Sequence, residues 1–182
     1  MNETHTAGRS HGATRSDLDE REKGVEAVFK THRTAMIQLA VVLGADDVED
    51  IVAEAFYQLY SRWTYLRSPD AAVGYLRSSV VNLTRMRIRH MQIARRHAQR
   101  AEPAVEVAQS GESLAVLRHD QRAIVEAVRH LPTRQREALV LRYWLDLSER
   151  EIAQTMNVSV GSVKVHISRG MAALTRKFED RR

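Results

Sequence analysis

Two helical signals lie almost end to end in the last third of the chain. Ser148 and Glu151 have the spacing of a capping box, in which each side chain accepts a hydrogen bond from the other residue's backbone N–H at a helix start. The helical pattern that follows ends near Met156, and Ser159 can cap a second helix that runs to about Phe178, roughly 30 Å at 1.5 Å per residue. Because only about three residues separate the two helices, the spacing predicts a helix-turn-helix unit.

Small and permissive residues occupy the positions where these two helices would cross and turn. Ala153 faces the predicted crossing, where a larger side chain would push the helices apart, and Asn157 can adopt the left-handed conformation of the turn. The opposite face of the last helix carries polar and basic side chains, and it fits the major groove of DNA. The alternative is an ordinary three-helix bundle with a charged outer face. The apolar residues predicted to face inward are Ile152, Met156, Val158, Val163 and Ile167.

The rest of the chain also has helical rather than strand periodicity. Apolar residues recur at intervals of three and four, and only 3 prolines and 8 glycines interrupt them. The predicted fold class is all-α, with two small helical domains joined by a flexible linker and the helix-turn-helix in the C-terminal domain. The predicted boundaries are a disordered tail over residues 1–22, a first domain over 23–97, a linker over 98–113 and a second domain over 114–182. The first helix of the second domain is expected to bury a stripe of Leu114, Leu117, Ile124, Val128 and Leu131.

Charge and composition exclude several classes of protein. The formal net charge is +5, and residues 85–100 hold 6 arginines and no acidic residue, which favours an anionic partner such as nucleic acid. The chain has no cysteine, no compact histidine cluster and no local motif of an enzyme, so we expect no catalytic residue, metal or cofactor. No apolar run reaches the roughly 20 residues that cross a bilayer, so we expect no direct membrane insertion and a cytoplasmic location.

Residues 131–174 contain three motifs of one known family. They are LPTRQRE, LRYWLDLS, and VGSVK followed after three residues by SRG. With these motifs the segment resembles the C-terminal region of bacterial sigma factors of the extracytoplasmic-function (ECF) group, which recognises the promoter −35 element. The resemblance implies an alternative sigma factor that recruits core RNA polymerase to specific promoters. It places the −35 DNA contacts at Arg142, Gly161, Ser162, Lys164, Val165, Ser168 and Arg169.

Two segments of the first domain extend this resemblance. Residues 44–63 begin with a cluster of acids and resemble the sigma region that binds the clamp helices of core polymerase, with contacts implied at Asp46, Asp47, Asp50 and Glu54. Residues 75–89 resemble the helix that binds the melted −10 element, where an asparagine helps to line a pocket for a flipped base. The implied −10 contacts are Arg67, Ser68, Tyr75, Asn82, Arg85 and Arg89, whereas Phe56, Tyr60 and Trp63 have helical spacing and are expected in the core.

The resemblance also implies partners and a place of action. These are core RNA polymerase, promoter DNA and an anti-sigma protein, with action at the nucleoid and retention at the membrane by the anti-sigma protein. The residues alone leave two other functions open. One is a homodimeric helix-turn-helix regulator of the LuxR type that acts on a palindrome without core polymerase. The other is a protein-binding module whose last helix packs on a partner.

Overall fold

Every regular element in residues 15–66, 68–101 and 119–179, which the computed structural model describes, is a helix. The all-α prediction is therefore confirmed over these ranges. A 3-10 turn, Trp63–Tyr65, follows the second helix, and the fifth helix continues into a π-helical turn, Val140–Trp144. The helices are α1 (Arg15–Leu43), α2 (Val48–Arg62), α3 (Pro69–Ala101), α4 (His119–Arg129), α5 (Thr133–Leu139), α6 (Glu149–Met156) and α7 (Val160–Glu179).

The N-terminal body consists of α1, α2 and the first half of α3, which pack against one another in an apolar core. Phe56 is buried and Trp63 packs against the core, as their helical spacing predicted. α1 approaches Trp63 at Gly24, where a Cβ atom would overlap the indole ring. The largest fully buried side chains of this body are Leu39, Val41, Val42, Leu43, Val48, Leu59, Leu76 and Val80.

α1 begins earlier than predicted. It starts at Arg15, so residues 15–22 are helical although the sequence analysis assigned them to a disordered tail. The Arg21 guanidinium lies 4.8 Å from the centroid of the Tyr60 ring, a cation–π contact that helps to hold this first part of the helix. The local apolar content of the tail gives no sign of this contact, because its partner lies on α2. The remaining tail residues, 1–14, lie outside the described residues.

The C-terminal body consists of α4–α7, with the side chains of Leu141, Ile152, Met156 and Val163 fully buried. The stripe predicted for its first helix is wrong at Ile124, which is 57% exposed, because α4 is turned so that Val125 and Val128 face the core. Leu114 and Leu117 lie outside the described residues, as does most of the predicted linker. Residues 98–101 of that linker belong to α3.

The two bodies contact each other at the end of α1. Helix C-termini leave carbonyl groups without a partner in the helix and carry partial negative charge. Arg129 donates to the Val41 carbonyl at 2.6 Å, and Arg136 donates to the Leu43 carbonyl at 2.6 Å. Arginines of the C-terminal body therefore cap a helix of the N-terminal body.

Neither a membrane span nor a metal-binding cluster is found among the described residues. None of the helices in residues 15–66, 68–101 and 119–179 is long and apolar enough to cross a membrane. Within the same part of the chain, no group of three or more histidine and acidic side chains is arranged to hold a metal ion.

Candidate nucleic-acid interface

The helix-turn-helix is built by the local signals that predicted it. The Ser148 hydroxyl accepts from the Glu151 backbone N–H, and the Glu151 carboxylate accepts from the Ser148 backbone N–H at 2.9 Å. Asn157 ends α6 in the left-handed conformation, with φ 54° and ψ 54°. Ser159 caps α7 by accepting from the Ser162 N–H at 3.1 Å. The capping box, the turn and the second cap are thus confirmed.

α7 is fixed to the body by one face and open on the other. Val163 and Gly170 are buried, and a Cβ atom on Gly170 would lie 2.8 Å from Leu139 Cδ1, so α7 and α5 cross at close range. The packing role of Gly170 is not predicted from the sequence. Four predicted −35 residues share the exposed face, which also holds the exposed Gly161 at its start. They are Lys164, Val165, Ser168 and Arg169.

Lys164 Nζ lies 3.6 Å from a Glu149 carboxylate oxygen, and the candidates Ser162 and Arg142 also have partners inside the protein. Ser162 is half-buried, and its hydroxyl lies 2.9 Å from that of Ser159. Arg142 is also half-buried and donates to the Leu147 carbonyl at 2.8 Å, across the turn that leads into α6. Arg142 therefore braces the entry to the helix-turn-helix, a role that the sequence analysis did not assign to it.

The candidate −10 residues lie along α3. Ser68 caps this helix by accepting from the Ala71 N–H at 3.1 Å. Tyr75, Asn82 and Arg89 recur every seven residues, which places them on one stripe of α3; Tyr75 is half-buried and the other two are exposed. Arg67 lies outside the described residues.

Arg85 is the candidate with the most partners. Its Nη1 donates to Asn82 Oδ1 at 3.0 Å, and its Nε and Nη2 donate to the two carboxylate oxygens of Glu137 at 2.7 and 2.8 Å. Glu137 belongs to α5 and is 2% exposed. Glu137 is not among the residues predicted from the sequence, although an acid directly before the buried run 138–141 is a signal of a buried partner. The candidate −10 surface is therefore bonded to the C-terminal body.

The candidate polymerase-binding acids divide into two groups. Asp50 and Glu54 are exposed and one turn apart on α2, with Glu54 accepting from Gln58 at 3.0 Å. Asp47 is half-buried, and its Oδ2 lies 2.5 Å from Arg87 Nη2. Asp46 is also half-buried. The structure thus leaves an open acidic strip at Asp50 and Glu54 and ties Asp47 to α3.

Burial and hydrogen bonding shift several pKa values in this region. Desolvation lowers the pKa of Arg129 and of Arg136; nearby Glu126 and Asp46 counteract this for Arg129, and Glu137 does so for Arg136. Hydrogen bonds from the Ser148 side chain and backbone lower the pKa of Glu151.

Known proteins resemble both the sequence and the fold. The family described as "Sigma-70, region 4" matches residues 121–174. The RNA polymerase sigma-E factor of Streptomyces antibioticus is 27% identical over 158 residues, which cover 86% of this chain and 85% of that protein. The ECF RNA polymerase sigma factor SigW of Bacillus subtilis (strain 168) is 39% identical over 57 residues, which cover 31% of this chain and 30% of that one.

Two solved structures share the fold. One is CnrH in complex with the cytosolic domain of CnrY, with a TM-score of 0.65 and 20% identity over 93% of this chain and 99% of that one. The other is the sigma factor RpoE from Bartonella quintana in complex with the anti-sigma factor NepR, with a TM-score of 0.60 and 19% identity over 93% of this chain and all of that one.

Proposed function

The chain belongs to the extracytoplasmic-function group of RNA polymerase sigma factors, and from this premise we propose how its helices divide the work of promoter recognition. It is an alternative sigma factor, and its relatives do not favour a homodimeric LuxR-like regulator. The family consists of DNA-recognition regulators rather than enzymes. We assign −35 duplex to α7, unpaired −10 bases to α3 and core polymerase to α2.

The open face of α7 carries the −35 assignment. Arg169 and Lys164 supply donors for guanine, Val165 can contact a thymine methyl, and Ser168 can bond either kind of base edge. At the start of α7, we assign the Gly161 backbone N–H and the Ser162 hydroxyl to phosphate, and we assign Arg142 to the DNA backbone near α6. The observation that supports this most is the combination of a buried, glycine-packed side and an exposed polar side on one helix.

The stripe on α3 supports the −10 assignment. Asn82 can bond the edge of a base turned out of the stack, Tyr75 can stack on it, and Arg85 and Arg89 can bind the adjoining phosphates. Arg67 and Ser68, in the segment before α3, are assigned to sequence preference. Base extrusion costs a few kcal/mol, which these contacts must offset.

The acidic strip on α2 supports the polymerase assignment. Asp50 and Glu54 project from the helix as exposed carboxylates that suit a basic partner surface. Asp46 and Asp47 are assigned to the edge of the same interface, where Asp47 becomes available once Arg87 releases it.

An anti-sigma protein is the third proposed partner. The sigma factor RpoE, which shares this fold, was solved in complex with the anti-sigma factor NepR. We assign the site of action to the nucleoid in the cytoplasm, with retention at the membrane when an anti-sigma protein anchored there holds the chain.

Run-off transcription over a promoter library tests the proposal. The purified chain is added to core RNA polymerase, with −35 and −10 positions randomised in the templates. We expect initiation from a defined −35/−10 pair that core enzyme alone does not use. Arg169→Ala should relax the preference at one −35 position by about 1–3 kcal/mol, or roughly 5- to 150-fold. Arg176→Ala, which removes an exposed arginine farther along α7, is the matched control and should leave the preference unchanged.

Two results would contradict the proposal. Unchanged −35 preference in Arg169→Ala would remove α7 as the reading helix. Tight binding of a palindromic site by the chain alone, without any response to core polymerase, would restore the homodimeric regulator.

A further inference from the structure

The contact between Arg85 and Glu137 joins the two bodies at the candidate −10 surface. Both carboxylate oxygens of Glu137 accept from Arg85, and Arg85 in turn donates to Asn82. The guanidinium fork binds a carboxylate and a phosphate with the same bidentate geometry. Glu137 therefore fills the position on Arg85 that a DNA phosphate would need.

We propose that Glu137 is an intramolecular competitor of −10 DNA and that docking of the C-terminal body closes the −10 surface in the free protein. This inference rests on the assignment of Asn82 and Arg85 to −10 binding. DNA can bind Arg85 only after the two bodies separate. The free chain, in which the bodies are docked, therefore binds single-stranded −10 DNA more weakly than a chain whose bodies are separated.

The docked arrangement has two further anchors at the end of α1. Arg129 and Arg136 donate to the Val41 and Leu43 carbonyls, and Arg136 reaches its partner across Gly44, which has φ +89°. A Cβ atom on Gly44 would lie 2.5 Å from Arg136 Nη1. These charged groups regain water on separation, as expected for an interface between bodies that come apart.

Glu137 keeps a partner when Arg85 leaves. Arg134 lies one turn before it on α5, and its Nη1 is 3.3 Å from Glu137 Oε2. A buried carboxylate without a nearby cation is strongly destabilising. Because Arg134 stays beside Glu137, separation of the bodies does not leave the Glu137 carboxylate in that state. This second partner makes the contact with Arg85 reversible rather than structural.

A distance measurement tests the closed arrangement without DNA. The chain has no cysteine, so spin labels can be placed at Ser61→Cys on α2 and Ala172→Cys on α7, both exposed. Pulsed electron paramagnetic resonance should give one short, narrow distance in the free protein. Glu137→Gln and, separately, Arg136→Gln should give longer and broader distributions. Arg134→Gln is the matched control, because Arg134 bonds only within the C-terminal body among the described residues, and it should keep the short distance.

Binding of a fluorescent single-stranded oligonucleotide with the selected nontemplate −10 sequence tests the competition. If the open form is about a tenth of the free protein, Glu137→Gln and Arg136→Gln should each bind up to about tenfold more tightly than the parent chain. Arg134→Gln should not, and Asn82→Ala should abolish the gain in the Glu137→Gln background. Thermal unfolding of each variant verifies that it is folded. If Glu137→Gln does not fold, Arg136→Gln alone tests whether separation of the bodies increases DNA binding.

The outcomes separate this inference from the proposed function. A broad distance distribution in the parent chain, or variants that separate without binding DNA more tightly, would overturn the competition and leave the sigma-factor function intact. If binding depends on neither Asn82 nor Arg85 in any variant, the −10 assignment itself falls, and the competition falls with it.

Discussion

Gly170 determines how closely α7 approaches α5, so one added methyl group should be costly there. We expect Gly170→Ala to lower the free energy of unfolding by about 1–3 kcal/mol, because its Cβ would press on Leu139 in a packed interior. Chemical denaturation followed by circular dichroism measures this.

Gly161 is the matched control on the same helix. A Cβ there would meet only Ser159 Oγ at 3.8 Å, an ordinary contact. Gly161→Ala should be neutral or stabilising by up to roughly 1 kcal/mol, since alanine is the better helix former. Equal losses in the two variants would show that the α5–α7 crossing is looser than the geometry indicates.

Single arginines were the least predictable residues from the sequence. A guanidinium can bind phosphate, carboxylate or a helix-end carbonyl with equal chemical ease, and neighbouring residues do not reveal which. Arg142 was predicted to contact DNA, and it also donates to the Leu147 carbonyl. Arg85 is predicted to contact −10 DNA, and in the free chain it bonds Glu137.

At the scale of elements, the start of α6 should be sensitive to acid. The Ser148 hydrogen bonds lower the pKa of Glu151 in the folded state below 4.5. A carboxyl with a lowered folded pKa contributes stability in full above its unfolded pKa, and this is lost as pH falls through the folded pKa. We therefore expect the unfolding free energy to decrease as the pH falls below 4.5. The substitution Glu151→Gln should remove part of that decrease.

Urea unfolding of the parent chain and of Glu151→Gln, each at neutral pH and at about pH 3.5, measures this effect. The loss of unfolding free energy between the two pH values should be smaller in Glu151→Gln than in the parent chain. Glu179→Gln, at the exposed end of α7, is the control and should keep the full dependence of the parent chain. An identical acid response in Glu151→Gln would show that the capping box has no part in it.

Substitutions in the two groups of acids at α2 should have different effects, one on core-polymerase binding and the other on thermal stability. Asp50→Asn should weaken binding to core polymerase by about 1 kcal/mol, or roughly fivefold in Kd, with unchanged thermal stability. Asp47→Asn should instead lower the melting temperature slightly, because it breaks the ion pair with Arg87. Fluorescence anisotropy of the labelled chain measures the Kd for core polymerase, and scanning calorimetry measures the melting temperature.

Glu26→Gln is the charge-matched control, since Glu26 lies on α1 and its ion pair with Lys30 is more exposed to solvent than that of Asp47 with Arg87. It should alter neither core binding nor melting beyond the error. If Asp50→Asn binds core as tightly as Glu26→Gln does, the open strip on α2 is not the polymerase contact.

Elements were predicted well wherever their signals are local. The caps at Ser148 and Ser159 and the left-handed turn at Asn157 each depend on residues within four positions, and all three are present. The start of α1 and the rotation of α4 depend on packing against distant helices. Local periodicity therefore placed both of them incorrectly.

For the whole molecule, the arrangement of the two bodies lay beyond the sequence. The contacts that join them link residues 52, 88 and 93 positions apart, so no local pattern records them. The resemblance supplied the two helical bodies and their proposed surfaces. It did not supply the contact between Arg85 of one body and Glu137 of the other.

The two-sided construction of α7 has a consequence for how such a protein can change. The residues that anchor the helix, Val163 and Gly170, are separate from those that project away, which are Lys164, Val165, Ser168 and Arg169. Substitutions on the outward side leave the anchoring untouched. With α7 as the proposed −35 reading helix, a lineage, or an engineer, can therefore retarget the set of genes under control one amino acid at a time while α7 stays anchored.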